Sequence, residues 1–244
     1  MDYLKRILGD IRRADTDFRM IEAEDRVAVG LSGGKDSLLL LRALAVYRRF
    51  APHPFELEAV TVHPGFEDFD LRPLEAFCAG LGVPYTVEQT QIAHIVFDVR
   101  KESNPCALCA NMRRGALMDV CRRRGVTKLA LGHHRDDAIA TLMMSVLREG
   151  RLHTLQPATA FREGDVGLIR PLIYTAEKDV KGAARALRLP VVASPCPTDG
   201  HTDRAGMETL LRTVTQTVPN AREMIFSALK NDDQYELWNK PEGR

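Results

Sequence analysis

Apolar positions along the chain fall into two rhythms. Short, largely apolar runs recur at Val27–Val29, within Phe55–Val62 and within Val126–Leu131. Such runs read as strands buried on both faces, as in a parallel sheet. Between them lie stretches with helical spacing. Tyr3, Leu4, Ile7, Leu8 and Ile11 give an amphipathic helix over residues 2–23. Further helices are predicted over 36–50, 70–81, 105–124, 136–149, 176–188, 203–217 and 220–230. Strands are expected at 26–31, 55–62, 85–88, 126–131 and 190–192, with 168–172 an edge strand or turn. Residues 91–102 read as irregular or a short helix, 150–165 as a loop, and the polar tail from Asn231 as mobile. The alternation predicts an α/β fold: a parallel sheet with helices on both faces, plus a small C-terminal helical cap. The expected organisation is an amphipathic helix over 1–24, the sheet domain over 25–193 and a helical segment over 194–244.

The sharpest local signal follows the first strand. Ser32-Gly33-Gly34-Lys35-Asp36-Ser37 sits between the run Val27–Val29 and the apolar helix from Leu38. Glycines lack Cβ atoms and let backbone N–H groups converge on one anion. The helix start adds free N–H groups and a positive dipole end. Lys35 supplies a cation, and Ser32 and Ser37 supply hydroxyls. Asp36 suits this setting if it holds a divalent cation beside phosphates. The spacing is not that of the common phosphate loop: counted from Gly30, position 35 calls for Gly and carries Lys.

A second group lies after the strand at 126–131. Gly132-His133-His134-Arg135-Asp136-Asp137 brings two histidines and two aspartates to a helix start. Either aspartate suits a helix cap, and either suits a metal. The strand at 55–62 ends at His63-Pro64-Gly65, where an α/β sheet receives ligands, so Val62 and His63 are expected near an adenine.

Composition narrows the setting. The chain has 244 residues, is 45% hydrophobic and carries a net charge of +1. That charge is no global signal for nucleic acid, so RNA contact requires a local patch. Lys5, Arg6, Arg12 and Arg13 offer one such face, or simply a solvated one. There is no apolar run of membrane length and no export signal, so no membrane partner and a cytoplasmic location are expected. Five cysteines, an odd number, argue against a disulfide framework. Cys78 and Cys121 fall within apolar helical stretches and read as core. Cys106 and Cys109 form a CxxC pair at a helix start, and Cys196 lies in the turn Ser194-Pro195-Cys196-Pro197. The pair alone suits zinc, an iron–sulfur cluster or a redox couple. Structural zinc calls for a fourth ligand, whereas a cubane on three thiolates leaves one iron open. Arg113 shares a helix face with Cys109 and either points at that centre or lies at the surface. Arg122, Arg123 and Arg124 end the same helix, where the dipole alone favours cations.

SGGKDS resembles the pyrophosphate loop of the PP-loop N-type ATP pyrophosphatases, and GHHRDD, with Thr141 behind it, resembles the second signature of their tRNA-modifying members. The ordered set SGGKDS, PCALC followed by NMRRG, GHHRDD, IRPL and a late PC resembles the tRNA 2-thiocytidine synthetase family over about residues 20–200. That resemblance implies a Rossmann-like, adenine nucleotide alpha hydrolase-like domain. It implies ATP held by Ser32, Gly33, Gly34, Lys35, Asp36 and Ser37, with Val62, His63, Gly132 and His133 completing the site. It implies Mg²⁺ on Asp36 with Asp136 or Asp137, and a 4Fe-4S cluster on Cys106, Cys109 and Cys196. Asp36, Asp136, Asp137 and Arg113 then become the catalytic candidates. The partner implied is tRNA; no rhodanese-like segment is visible, so an external sulfur donor such as a cysteine desulfurase or sulfide is expected, and a homodimer is a further candidate. Two departures stand out. Asp199 occupies the place of a second late cysteine, and no terminal zinc-ribbon set follows. The competing expectations are a tRNA lysidine synthetase-like ligase, a non-catalytic zinc and nucleotide-binding module, and a sulfur- or amide-forming enzyme for a small molecule. The cysteines count against the first.

Overall fold

The computed structural model describes residues 2–101, 105–159, 165–193, 195–196 and 203–231. The expected mobile tail, Asp199, Ser194 and Pro197 lie outside these residues. The elements run α1 (Tyr3–Phe18), β1 (Arg26–Gly30), α2 (Lys35–Tyr47), β2 (Glu56–His63), α3 (Arg72–Leu81), β3 (Tyr85–Gln89), α4 (Pro105–Arg123), β4 (Lys128–Ala130), α5 (Arg135–Met144), β5 (Ala158–Thr159), β6 (Gly167–Ile169), α6 (Glu177–Ala186), α7 (Asp203–Thr217) and α8 (Ala221–Ala228). Two π-helical segments, His94–Arg100 and Ser145–Glu149, complete the order.

The strands form one six-stranded sheet in the order β3-β2-β1-β4-β6-β5. All neighbours are parallel except β5, which runs antiparallel to β6. The chain moves outward from β1 through β2 to β3, then returns to place β4 on the other side of β1. That reversal leaves a crevice at the C-terminal ends of β1 and β4, where sheets of this kind take ligands.

Apolar runs explain the layers. Val27, Ala28 and Val29 are fully buried, as are Leu38 to Leu41 of α2. A helix apolar on nearly every side belongs inside, and α2 lies under α1 and α6 in the main core. Ile7 and Ile11 of α1 enter that core. On the opposite face, Met118, Val120 and Cys121 of α4 pack against Ala28, Val60 and Leu129. The C-terminal helices pack on α5, with Met207 and Leu211 against Ile139 and Ala140.

Several expectations need correction. Helix α1 stops at Phe18 because Arg19 turns to a positive φ of 46°. Residues 168–172 are expected as an edge strand or turn; Leu168 and Ile169 lie in β6, which is interior between β4 and β5, while Pro171 and Leu172 do enter a turn. Strand β5 falls in the predicted loop 150–165; two residues carry no readable period. Residues 190–192 form no strand. Instead the Val192 N–H donates to Gly33 O at 3.0 Å, tying this segment to the glycine loop rather than to a sheet edge. The helix predicted over 136–149 begins at Arg135 and changes to π geometry after Met144.

A nucleotide-type cleft at the switch point of the sheet

Two loops define the crevice. The first leaves β1. Gly33 adopts a φ of +85°, a backbone state that side chains rarely tolerate, and Val192 Cβ lies 3.3 Å from where its Cβ would be. The Ser37 hydroxyl accepts the Ser32 N–H at 3.1 Å and donates to Gly34 O at 3.0 Å. These bonds close the loop on the first turn of α2. Lys35 Nζ donates to Asp36 Oδ2 at 3.0 Å and lies 3.9 Å from Glu177. Asp36 Oδ1 is buried, and its close partner is the same Lys35 ammonium, with Nζ 3.0 Å away.

The second loop leaves β4 and crosses the first at Gly132. A Cβ there would stand 2.9 Å from the Asp36 carbonyl carbon and 3.0 Å from the Ser37 nitrogen. Only glycine permits this approach. Asp137 then accepts the His134 N–H at 2.8 Å and so caps α5. The buried His134 ring stands between the loops, with Nε2 3.8 Å from Asp36 and Nδ1 3.5 Å from Asp137.

Around these loops lies a cleft of about 470 Å³. Its walls include Leu31, Ser32, Asp36, Ser37 and Val62 on one side, and Leu131, Gly132, His133 and Asp137 on the other. Helix α4 contributes Asn111, Arg113 and Arg114, and the end of β6 contributes Arg170. The predicted residues Ser32, Asp36, Ser37, Val62, Arg113, Gly132, His133 and Asp137 thus meet in one place. Gly33, Gly34 and Lys35 build the loop behind the wall. His63 stands apart: its Nδ1 accepts the Gly65 N–H at 3.1 Å, and its ring faces Phe69 at 5.4 Å.

Asp136 is also turned elsewhere. Its Oδ2 accepts the Glu177 N–H at 2.7 Å, and its Oδ1 accepts from Arg222 at 3.0 Å. Arg222 holds Glu208 as well, so the aspartate links α5 to α6, α7 and α8. Neighbouring residues on a helix point about 100° apart, which separates Asp136 from Asp137.

The three candidate cysteines are half-buried and in no disulfide among the described residues. Burial raises the Cys109 pKa above the usual thiol value; Arg113 lowers it, and the charges of Cys196 and Cys106 raise it. Cys109 therefore feels both other thiols and the guanidinium expected beside it. Cys78 and Cys121 are fully buried, and burial pushes them up to about 11 and about 12. Among the described residues, no three His, Cys, Asp or Glu side chains close around a single ion.

Arg170 is the site residue that sequence reasoning passed over. It is 8% exposed, and its Nε donates to His133 Nδ1 at 3.4 Å. That bond makes Nδ1 the acceptor and leaves the proton on Nε2 when the imidazole is neutral. The available signals were its place in the IRPL motif and a charge at the end of the short apolar run Leu168-Ile169.

A glycine loop opening a helix, paired with an acidic loop across a parallel switch point, is the arrangement of a PP-loop protein, and a family model described as a PP-loop domain matches residues 9–214. The relatives narrow this further. The chain is 38% identical over 231 residues to the tRNA-cytidine(32) 2-sulfurtransferase of Syntrophotalea carbinolica, covering 93% of this chain and 88% of that one. It is 37% identical over 227 residues to the enzyme of the same name from Stenotrophomonas maltophilia, covering 92% and 74%. The protein therefore belongs to the tRNA-cytidine 2-sulfurtransferase family of PP-loop enzymes. Among solved structures it is similar to the U34-tRNA thiolase NcsA from Methanococcus maripaludis, determined with its 4Fe-4S cluster, at a TM-score of 0.79 and 26% identity over 99% of this chain and 84% of that one. NMN synthetase from Francisella tularensis shares the fold alone, with a TM-score of 0.53 and 15% identity, covering 99% of this chain and 98% of that one. Among the described residues no helix is long and apolar enough to cross a membrane.

Proposed function

We propose that this protein is an ATP-dependent tRNA sulfurtransferase that replaces the C2 oxygen of a cytidine with sulfur. The observation that carries the reading is the meeting of the SGGKDS loop, the GHHRDD loop and the CxxC helix on one cleft. ATP lies across the sheet edge. Its phosphates face the free N–H groups at the start of α2 and the hydroxyls of Ser32 and Ser37. Leu31 and Val62 supply apolar surface for the base.

The residues fit a magnesium ion by the chemistry of the donor set, because the carboxylates of Asp36 and Asp137 both line the cleft. Mg²⁺ needs only one or two carboxylates when phosphates complete its shell. When bound, it would neutralise charge on the phosphates. The thiols also fit a cluster by their chemistry: Cys106, Cys109 and Cys196 are half-buried, and Cys109 feels the charges of both others. When bound on three thiolates, a 4Fe-4S cluster would offer an open iron for a sulfur species.

The chemistry balances in two substitutions. The cytidine C2 oxygen attacks the α-phosphorus of ATP; a C2–O–P link forms and pyrophosphate leaves. A hydrosulfide sulfur then attacks C2, and AMP leaves with the former C2 oxygen. The sulfur comes from an outside donor. The protein's part is positioning and charge. Arg113 offsets the anionic sulfur and leaving AMP, and His133, whose Nδ1 accepts from Arg170, lines the cleft beside them.

The test is the first substitution. Purified anaerobically, the full chain should release AMP and pyrophosphate in equal amounts only when unthiolated tRNA is added. Release of ADP and phosphate, or AMP release indifferent to tRNA, would overturn the reading.

A further inference from the structure

The arginines of this cleft are matched differently from those that tie the fold together. Arg6 meets Asp179 at 2.8 Å, Arg124 meets Glu58 at 2.6 Å, and Arg222 meets Asp136 at 3.0 Å. Arg170 is buried with neutral partners only, His133 Nδ1 and the Gln156 carbonyl. Arg114, at the exposed lip of the same cleft, donates to the amide oxygen of Asn111 at 3.0 Å. Neither guanidinium forms an ion pair among the described residues.

The two charges also oppose one another. Burial depresses the Arg170 pKa most, and the nearby Arg114 depresses it further; Asp137 alone acts the other way. A buried guanidinium beside a second cation is unfavourable without an anion. A guanidinium is the side chain best shaped to receive two phosphate oxygens. The SGGKDS loop lies across the cleft and brings its own N–H donors for the nucleotide chain.

We propose that Arg114 and Arg170 form a second phosphate subsite, facing the SGGKDS loop, that holds a backbone phosphate of the RNA beside the nucleotide being modified. The assignment rests on the reading of tRNA as the second substrate. Arg114 at the lip is the first of the pair that a polymer from solvent meets, and Arg170 receives the phosphate at depth. The same chemistry suits the α-phosphate of ATP, so the test separates the two sources.

The test measures tRNA and ATP affinities of the anaerobically purified full chain, the tRNA arm over a series of salt concentrations. Three variants serve: Arg114→Gln, Arg114→Lys and Arg170→Lys. Arg114 is exposed, so its replacement leaves the core untouched. Arg114→Gln should weaken tRNA binding about tenfold and flatten the log–log salt slope by about 0.7 to 0.9. Arg114→Lys should keep the parent slope. Arg170→Lys should keep the slope and weaken binding, because a point charge cannot make the forked contact. ATP affinity should stay within about twofold of the parent if the phosphate belongs to RNA. A loss confined to ATP would assign the subsite to the nucleotide. Unchanged affinity for both ligands in Arg114→Gln and Arg170→Lys would overturn the subsite. A parent chain that bound ATP but no tRNA would overturn the functional reading instead, and the ATP arm alone would then decide the subsite.

Discussion

Gly132→Ala tests whether the two loops must touch. Gly132 is not in the left-handed region, so an added methyl meets a problem of space rather than of φ. Its Cβ would lie 2.9 Å from Asp36 C, 3.0 Å from Ser37 N and 3.1 Å from Asp36 O. Carbon contacts relax to about 3.5–4.0 Å, so the loops must part by roughly 0.6 Å or more. All three atoms are backbone, and none can rotate away as a side-chain tip would. Overpacking of this kind costs about 2 kcal/mol, which lowers Tm by about 4–8 °C in a chain of this size. The displaced atoms start α2, where the ATP phosphates are proposed to sit. A misplacement of about 1 Å can cost on the order of 100-fold in rate, so a loss of about tenfold or more in ATP turnover is expected. Gly80→Ala is the control. Gly80 lies in α3 with nothing within 4 Å of its Cβ, and alanine there should raise stability by up to about 1 kcal/mol. The assays are thermal unfolding and ATP titration of both variants. Parent-like Tm and ATP affinity in Gly132→Ala would refute the claim that glycine is required for the approach of the loops.

Other outcomes follow from the same contacts. Asp136→Ala removes the acceptor of Glu177 N–H and the partner of Arg222, and should cost about 3 kcal/mol in urea unfolding; a second loss of equal size from Arg222→Met in that background would show that the pair is not coupled. Asp137→Asn should keep most of the stability, since the amide oxygen still caps α5, yet lose Mg²⁺-dependent turnover; normal turnover would remove Asp137 from the chemistry. In the metal-free protein at pH 8, iodoacetamide should label Cys106 and Cys196 well before Cys78 and Cys121, whose pKa values of about 11 and about 12 leave almost no thiolate; peptide mass spectrometry reads the order, and early labelling of Cys121 would contradict its burial. Burial first, then the hydrogen bond to Asp15, raises the Tyr47 pKa. The folded state thus holds this proton more firmly than the unfolded chain, so the contribution is full below about pH 10 and fades above it. Tyr47→Phe should show a shallower alkaline loss of stability than the parent.

How much was legible in the chain depended on how local the determinant was. The β1–loop–α2 unit could be read because an apolar strand, two glycines and a mostly apolar helix follow one another within about twenty residues. The GHHRDD loop was equally visible, but the division of labour inside it was not. Asp136 and Asp137 look alike in sequence, and only the arrival of Arg222, 86 positions away, turns Asp136 into a bridge between helices. His133 was chosen over His134 for the same reason: the place of His134 between Asp36 and Asp137 is made by the crossing of two loops. Strand β5 is two residues long and exists only through β6. The segment 190–192 has strand-like composition, yet its backbone is claimed by Gly33. Arg170 was hidden because a charge closing a short apolar run reads as the point where a strand leaves the core, whereas here it is buried in the cleft wall.

The account stands most directly on the nucleoside the protein makes. The full chain, purified anaerobically, is incubated with ATP, Mg²⁺, sulfide and tRNA from a strain lacking the corresponding activity. The tRNA is then digested and its nucleosides are resolved by mass spectrometry. The account predicts that 2-thiocytidine appears only when ATP and all three of Cys106, Cys109 and Cys196 are present, and persists in Cys78→Ala. A digest without thiolated cytidine, or with sulfur on a uridine instead, would contradict it.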